Sequence, residues 1–394
     1  MRAISAIGQL RILHVFRAPL GGLFRNVLDL ARGQIAAGHQ VGIFCDATTG
    51  GARADQVLGS LAPSLALGVM RTPMSRYPNL TDLKAQMAFI RHRRAVAPDV
   101  VHCHGSKGGL YGRLPALLDG GRSYVTAYTP HGGSFNYKPG GAEHRVYMAV
   151  ERLLERATDM FTFESRYIHD RFVAYVGHEP RTANRIVLNG VAQDEFIPID
   201  HAEAAYDLVY LGELRSAKGI DTLIGALALL RAEDNLQPSL LMVGSGPDEA
   251  VLKQLSVESG VADQISWRPP GPIRAALAQG RIMVVPSRAE SLPYVILEAA
   301  AAAQPLVSTN VGGIPEIYGP DHARRLIKPD DPRVLKQAIG EALAMPESER
   351  LAQARDLAAF VRRHFTLEQM IAGATAAYHA ALAARRPEQC APAT

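Results

Sequence analysis

Short apolar runs alternate along this chain with longer amphipathic stretches, and glycine or proline stands at most of the junctions. The apolar run 12–16 passes Pro19, Gly21 and Gly22 before apolar residues recur at helical spacing through Leu23, Val27, Leu28, Ala31 and Ile35. Gly38 ends that pattern, and residues 40–44 are apolar again. Strand, glycine loop, helix and strand in this order open a doubly wound α/β domain. Further strands are predicted over 99–104, 124–129, 160–163 and 185–188, with helices over 83–96 and 143–157. Val146, Val150, Leu153 and Ala157 form the apolar stripe of the latter helix, the side expected to face a core. Residues 50–80 read as a polar segment punctuated by glycine and proline, holding a short Leu/Val run.

The alternation restarts after Asn189-Gly190-Val191, a turn, and a polar linker reaching Tyr206. Strands follow over 207–211, 240–243, 282–285 and 305–309. Helices are predicted from 248, over 294–303, 332–344 and 347–365, and last over 366–383. The domains expected are residues 1–198, residues 199–365, and a closing segment 366–394 made of a helix and a polar, disordered tail.

Composition agrees with two soluble α/β domains: 394 residues, 47% hydrophobic and 20% charged, enough to bury two cores. No apolar run approaches the ~20 residues of a membrane-spanning helix. Residues 1–10 lack the apolar centre of an export signal, so a cytoplasmic protein is expected. Cys45, Cys103 and Cys390 are odd in number and far apart, which suggests neither disulfides nor zinc. Charge is uneven: residues 1–198 hold 23 Lys and Arg against 15 Asp and Glu, and residues 199–394 hold 19 against 23. A basic first half suits an anionic acceptor or peripheral contact with an anionic membrane, and equally a scatter of solvated charge. Nucleic acid is not among the expected partners.

The densest candidate chemistry lies in residues 281–300. The strand 282–285 runs through Pro286 and Ser287 into a loop holding Glu290. Pro293 suits a first helical turn, and Glu298 lies about one turn inside the helix that follows. Strand ends of α/β sheets are where ligands bind. Carboxylates accept hydroxyl pairs, and N–H groups of Ser291, Leu292 and the helix start suit phosphate or sugar oxygens. The spacing alone is served as well by a solvated Glu290 and a Glu298 favoured by the helix dipole.

Within Pro-Ser-x2-Glu-Ser-Leu-Pro-x4-Glu-Ala, Glu290 and Glu298 resemble the signature of family 4 retaining glycosyltransferases. Gly212-Glu-Leu-Arg-Ser-Ala-Lys218-Gly219 and Asn310-Val-Gly312-Gly313-Ile-Pro-Glu316 stand where that family has its other blocks. The resemblance runs from about residue 11 to about residue 365. It implies the GT-B fold: two Rossmann-like, doubly wound α/β domains facing across a cleft, with the chain crossing back at its C-terminus. It implies transfer of a sugar, with retention, from a UDP- or GDP-sugar to a hydroxyl of a lipid-linked or surface-polysaccharide glycan. Lys218 matches the family's diphosphate-clamping lysine. Glu213 replaces the usual arginine, and Arg215 is the candidate to supply that guanidinium. Glu298 would accept ribose hydroxyls, and Glu290 would hold the sugar beside an anomeric carbon gaining positive charge. His131, in Pro130-His131-Gly132-Gly133, stands where the family has a histidine that contacts the donor sugar. The implied path is front-face, without a covalent nucleophile. The nucleobase would lie near residues 265–271.

Several positions carry two readings. Gly21 and Gly22 let backbone approach a phosphate, or make an ordinary turn. Gly244, in the Gly-Ser-Gly-Pro loop after strand 240–243, is placed for a nucleotide. Lys107, in a glycine loop after strand 99–104, could meet an anionic acceptor. His131 could be a turn residue, Glu316 a helix cap, and Arg91, Arg93 and Arg94 a solvated face or a lipid contact. The glycine-rich segment 135–142 reads as a mobile acceptor loop. His102 and His104 share a strand face, but without a third ligand nearby they make a poor metal pair and read as core plus one cleft-facing imidazole. No acidic D-x-D pair ends a strand, so no cofactor and no obligatory metal is expected. Two other functions stay open: transfer to a soluble small acceptor, and nucleotide-sugar binding without transfer, which Glu213 keeps in view.

Overall fold

The computed structural model describes residues 8–76, 79–119, 122–136, 139–201 and 204–385. Cys390, the tail beyond Arg385, residues 1–7 of the N-terminus and residues 137–138 of the expected acceptor loop lie outside the described residues. The chain forms two compact units: residues 1–189 with 367–394, and residues 190–366.

The first unit is built on seven strands: β1 (Arg11–Val15), β2 (Gln40–Asp46), β3 (Val69–Thr72), β4 (Val100–His104), β5 (Val125–Thr129), β6 (Met160–Phe163) and β7 (Ala183–Ile186). They lie in the order β3-β2-β1-β4-β5-β6-β7, every pairing parallel. Parallel strands are covered on both faces, which explains their continuous apolar runs. On one face Leu13, Val15, Val101, Cys103, Tyr128 and Phe161 pack with Phe89 and Met148 from two covering helices. On the other, Ile12, Val100, Val125, Ala127 and Met160 meet Met370, Ala374, Ala377 and Tyr378 of the C-terminal helix Leu367–Arg385. That last helix therefore completes the core of the unit in which the chain begins.

Four local expectations change. Residues 50–80 contain a helix, Gly51–Leu61, and β3, because Ala54, Leu58 and Leu61 give the helix a buried stripe. Residues 105–109 are not a loop: the helix Gly105–Leu118 starts at the end of β4. The helix Ala142–Glu155 buries His144, Met148, Glu151 and Leu154, while Val146 is 62% and Leu153 47% exposed. Its orientation follows Glu151, which accepts from the fully buried Arg113 at 2.7 Å and from the Tyr128 hydroxyl at 2.9 Å. Leaving that buried guanidinium unpaired would cost more than exposing two aliphatic side chains. A helix at Arg166–Val176 escaped the hydrophobic pattern, although Ser165 caps its start through the Ile168 N–H and Gly177 closes it.

The second unit holds five parallel strands, β8 (Tyr206–Leu211), β9 (Leu240–Val243), β10 (Ile265–Arg268), β11 (Gly280–Val285) and β12 (Leu306–Ser308), ordered β10-β9-β8-β11-β12. Its core joins these to the helices Ile220–Asp234 and Pro332–Ala344. Each sheet reverses its strand order once, between β1 and β4 and between β8 and β11. Such reversals open crevices at the carboxyl ends of the strands. No described helix is long and apolar enough to cross a membrane.

Candidate active site

In the second unit, the loops leaving the adjacent strands β8 and β11 bring Lys218 and Glu290 together. Lys218 Nζ donates to Glu290 Oε1 at 2.6 Å, and the buried Ser287 hydroxyl donates to the same oxygen at 2.7 Å. The Lys218 and Glu290 side chains are 16% and 9% exposed, so the pair is shielded on most sides but reachable. The two loops are locked together. Arg288 N–H donates to the Ala217 carbonyl at 2.9 Å, and its guanidinium spans Asp221 (2.6 Å) and Asp330 (2.8 Å). Hydrogen bonding to Arg288 holds the Asp221 carboxyl below the usual range.

Two glycines permit this approach. Gly219 has φ +65°, and a Cβ there would fall 2.1 Å from the Pro286 carbonyl oxygen. Gly312 has φ +61°, and a Cβ there would fall 1.8 Å from the Glu290 carbonyl oxygen. Only glycine tolerates both the left-handed backbone and the missing space. Gly313 N–H then donates to the Ser291 carbonyl at 2.7 Å, so the Gly312-Gly313 turn props the acidic loop from beneath.

The other expected residues of this unit are placed less uniformly. Glu298 is buried in the middle of the helix Tyr294–Ala301, and Leu292 is buried just ahead of it. Gly244 follows β9 directly, its N–H donating to the Arg268 carbonyl at 3.0 Å. Glu316 lies in the first turn of the helix Ile314–His322. Arg215 does not reach Glu290; it pairs at 2.9 Å with Glu213, the residue that stands in the family arginine's place. Both are about half exposed, and such surface pairs are worth under ~1 kcal/mol, so a phosphate could displace Glu213.

In the first unit, His131 follows β5 with φ 53°, a left-handed conformation that non-glycine residues seldom adopt. Its Nε2 lies 3.0 Å from His104 Nδ1, and His104 Nε2 lies 2.9 Å from His14 Nδ1. His14 Nε2 is 2.8 Å from Gln34 Oε1. His102 completes the group, with Nδ1 2.7 Å from the Tyr378 hydroxyl and Nε2 2.9 Å from Thr129 Oγ1. The third nitrogen that the histidine pair was expected to lack is therefore supplied, by His14 on the neighbouring strand β1. Burial pushes the His14 pKa down to about 4 and that of His131 to about 3, and burial also holds His102 and His104 well below the ordinary value. All four rings are neutral at pH 7. Gly21, with φ +67°, and Gly22 start the helix Gly21–Ala36, whose first turn has no side-chain cap.

Lys107 lies in the helix Gly105–Leu118 rather than in a loop; its ammonium donates to Asp82 at 2.7 Å, and Asp82 also accepts the Tyr111 hydroxyl. Pattern reading missed Ser287, His14, Gln34 and Tyr378. His14 alone carried a signal, as a polar residue in a strand otherwise apolar.

Comparison with known proteins gives the class. Sucrose-phosphate synthase from Thermosynechococcus elongatus superposes with a TM-score of 0.77 over 96% of this chain and 100% of that one, at 21% identity. Two parallel-sheet units of this kind make the GT-B fold. Residues 20–195 match the model "Glycosyltransferase Family 4" and residues 192–356 match "Glycosyl transferases group 1". The chain belongs to family 4 of the glycosyltransferases, a retaining family. Among similar proteins, a GDP-mannose-dependent alpha-(1-6)-phosphatidylinositol monomannoside mannosyltransferase of Mycobacterium tuberculosis is 30% identical over 265 residues. That alignment covers 61% of this chain and 66% of the relative, slightly under two thirds of its length. A D-inositol 3-phosphate glycosyltransferase of Jonesia denitrificans is 28% identical over 388 residues, 89% of this chain and 90% of the relative.

Proposed function

We propose that this protein moves a sugar, with retention, from a GDP- or UDP-sugar to a hydroxyl of a lipid-linked or surface-polysaccharide glycan. The observation that carries the reading is the Lys218–Glu290–Ser287 group at the strand-order reversal of the second sheet. Departure of the nucleoside diphosphate builds charge on the leaving oxygen. Lys218 meets that charge, joined by Arg215 once phosphate replaces Glu213. Positioned donors of this kind are worth ~3–4 kcal/mol each in a transition state. Glu290, held by Ser287, accepts sugar hydroxyls beside the developing positive charge, and Glu298 takes the ribose hydroxyls. His131 keeps the role that the family gives it, contact with the donor sugar. The relatives' names, one citing GDP-mannose and a phosphatidylinositol mannoside, support the donor and acceptor classes. Screening nucleotide sugars for release of nucleoside diphosphate tests the reading. Turnover with at least one donor, undiminished by EDTA, is expected; tight binding without any release would favour a nucleotide-sugar-binding protein instead.

A lipid-linked acceptor places the enzyme peripherally on the inner, anionic face of a membrane. The helix Thr81–Val96 supports this with an outward stripe of Leu83 (63% exposed) and Met87 (45% exposed), beside exposed Lys84, Arg91 and Arg94 and preceded by Leu80 (89% exposed). The neighbouring helices over the same sheet face add exposed Leu118, Val146 and Leu153. Aliphatic side chains flanked by cations suit the interface of an anionic bilayer. Leu83→Asp with Met87→Asp is expected to weaken pelleting with phosphatidylglycerol vesicles about tenfold or more. Equal pelleting of variant and parent would leave the soluble-acceptor reading as the better one.

A further inference from the structure

Between two neutral imidazoles, a ring-nitrogen contact holds one proton, with one nitrogen donating and the other bare. The sequence of contacts from His131 through His104 and His14 to Gln34 therefore has only two proton arrangements, and the end of the chain decides which is adopted. Gln34 Oε1 faces His14 Nε2, while Gln34 Nε2 donates to the Tyr378 hydroxyl at 3.2 Å. Tyr378 then gives its own proton to His102 Nδ1, and His102 Nε2–H reaches Thr129 Oγ1 at 2.9 Å. Thr129 and Thr162 share a proton at 2.6 Å, and Thr162 faces the Tyr128 carbonyl at 3.5 Å. A carbonyl can only accept. Thr162 Oγ1 also lies 3.2 Å from His102 Nε2, so the threonine pair can accept from His102 and pass its last proton to the Tyr128 carbonyl, in keeping with the Gln34 amide, whose Oε1 faces His14.

We infer that Gln34, His14 and His104 are positioning residues that set the tautomer of His131. His14 donates from Nε2 to Gln34, His104 from Nε2 to His14, and His131 from Nε2 to His104. His131 Nδ1 is left without a proton and acts as an acceptor. The opposite arrangement would make the same atom a donor, so an amide buried three contacts away selects what His131 can recognise. Burial supports the scheme by keeping every ring uncharged. A metal fits less well. His14, His102 and His104 nitrogens lie within 4.8 Å of one another, but each already has a hydrogen-bond partner. The 2.9 Å His14–His104 spacing is also shorter than the ~3.3 Å between nitrogens around tetrahedral zinc. The consequence for recognition rests on the proposed contact of His131 with the donor sugar: there, Nδ1 accepts a sugar hydroxyl.

The test is nitrogen-15 NMR of histidine side chains in the full-length protein, assigned by single histidine replacements. At pH 7, His14, His104 and His131 should each show a protonated Nε2 and a bare Nδ1. Gln34→Glu supplies an acceptor only. It should leave His131 unchanged while moving the His102 proton from Nε2 to Nδ1, because Tyr378 must then donate to the carboxylate. Gln34→Met removes the anchor and should give His131 a mixture of tautomers, with kcat lowered about fivefold and KM little changed; circular dichroism and urea unfolding check that it folds. A protonated Nδ1 on wild-type His131, a His131 tautomer indifferent to Gln34→Met, or stoichiometric zinc in the purified protein would each overturn the relay. If the tautomers are as stated but nucleotide sugars leave the His131 signals unmoved, the relay stands and the sugar contact falls.

Discussion

Lys218→Ala lowers turnover of the nucleotide-sugar donor by about 10²-fold or more, and Glu290→Gln does the same, read as nucleoside diphosphate released per enzyme per second. The two effects are not independent. Lysine and carboxylate share one hydrogen bond of 2.6 Å in a mostly buried setting, so each substitution removes its own contact with substrate and also releases its partner. Lys218→Ala leaves the Glu290 carboxylate with Ser287 alone, a desolvated charge short of a counterion. Part of the loss then appears as reduced stability, since breaking a buried pair by removing one member costs ~3–5 kcal/mol. Glu290→Gln keeps the side-chain shape and an acceptor for the Ser287 hydroxyl. The double variant should fall well short of the product of the single losses, the mark of residues acting as a unit. Full additivity, or unchanged kinetics in both single variants, would remove this pair from the active site.

The second large effect is acid sensitivity. His14 and His131 titrate near 4 and 3 when folded but near 6.5 when unfolded. Between those values the unfolded chain binds more protons, so unfolding free energy falls as pH falls, by ~1.4 kcal/mol per pH unit for each ring. Above pH 6.5 these rings contribute no slope. Neutral Gln34, Thr129, Thr162 and Tyr378 are the groups bonded to the rings, and none offers a charge to hold an imidazolium. With four such rings, several kcal/mol should be lost between pH 6.5 and 4.5, a large share of a typical ~5–15 kcal/mol stability. Urea midpoints measured across that range should drop steeply and be level from pH 7 to 8. A level midpoint down to pH 5 would mean that the rings become charged without unfolding.

Much of this was legible in the sequence because parallel strands write themselves as uninterrupted apolar runs. Leu240–Val243 matched to the residue. At two places a polar interaction bears on what the apolar pattern could not show. Glu151 and Arg113 turned the Ala142–Glu155 helix against its own aliphatic stripe. Asp82 captured Lys107 across 25 positions of sequence. Period-two spacing put His102 and His104 on one face, but their partners come from β1 and from the far C-terminus, and only tertiary structure could bring them there. The Glu290 motif, by contrast, is local, and its spacing already fixes a loop followed by a helix.

The closing helix Leu367–Arg385 has a bearing on biosynthesis. During translation, the first unit's strands emerge with part of one face uncovered, and the helix that covers it is made only after the second unit. Residues 190–366 must be made in between. At ~5–20 residues per second that interval lasts roughly 10–40 s. Over that time the nascent chain presents Ile12, Val100 and Val125 to whatever holdase is near, so chaperone engagement should persist until that helix has been made.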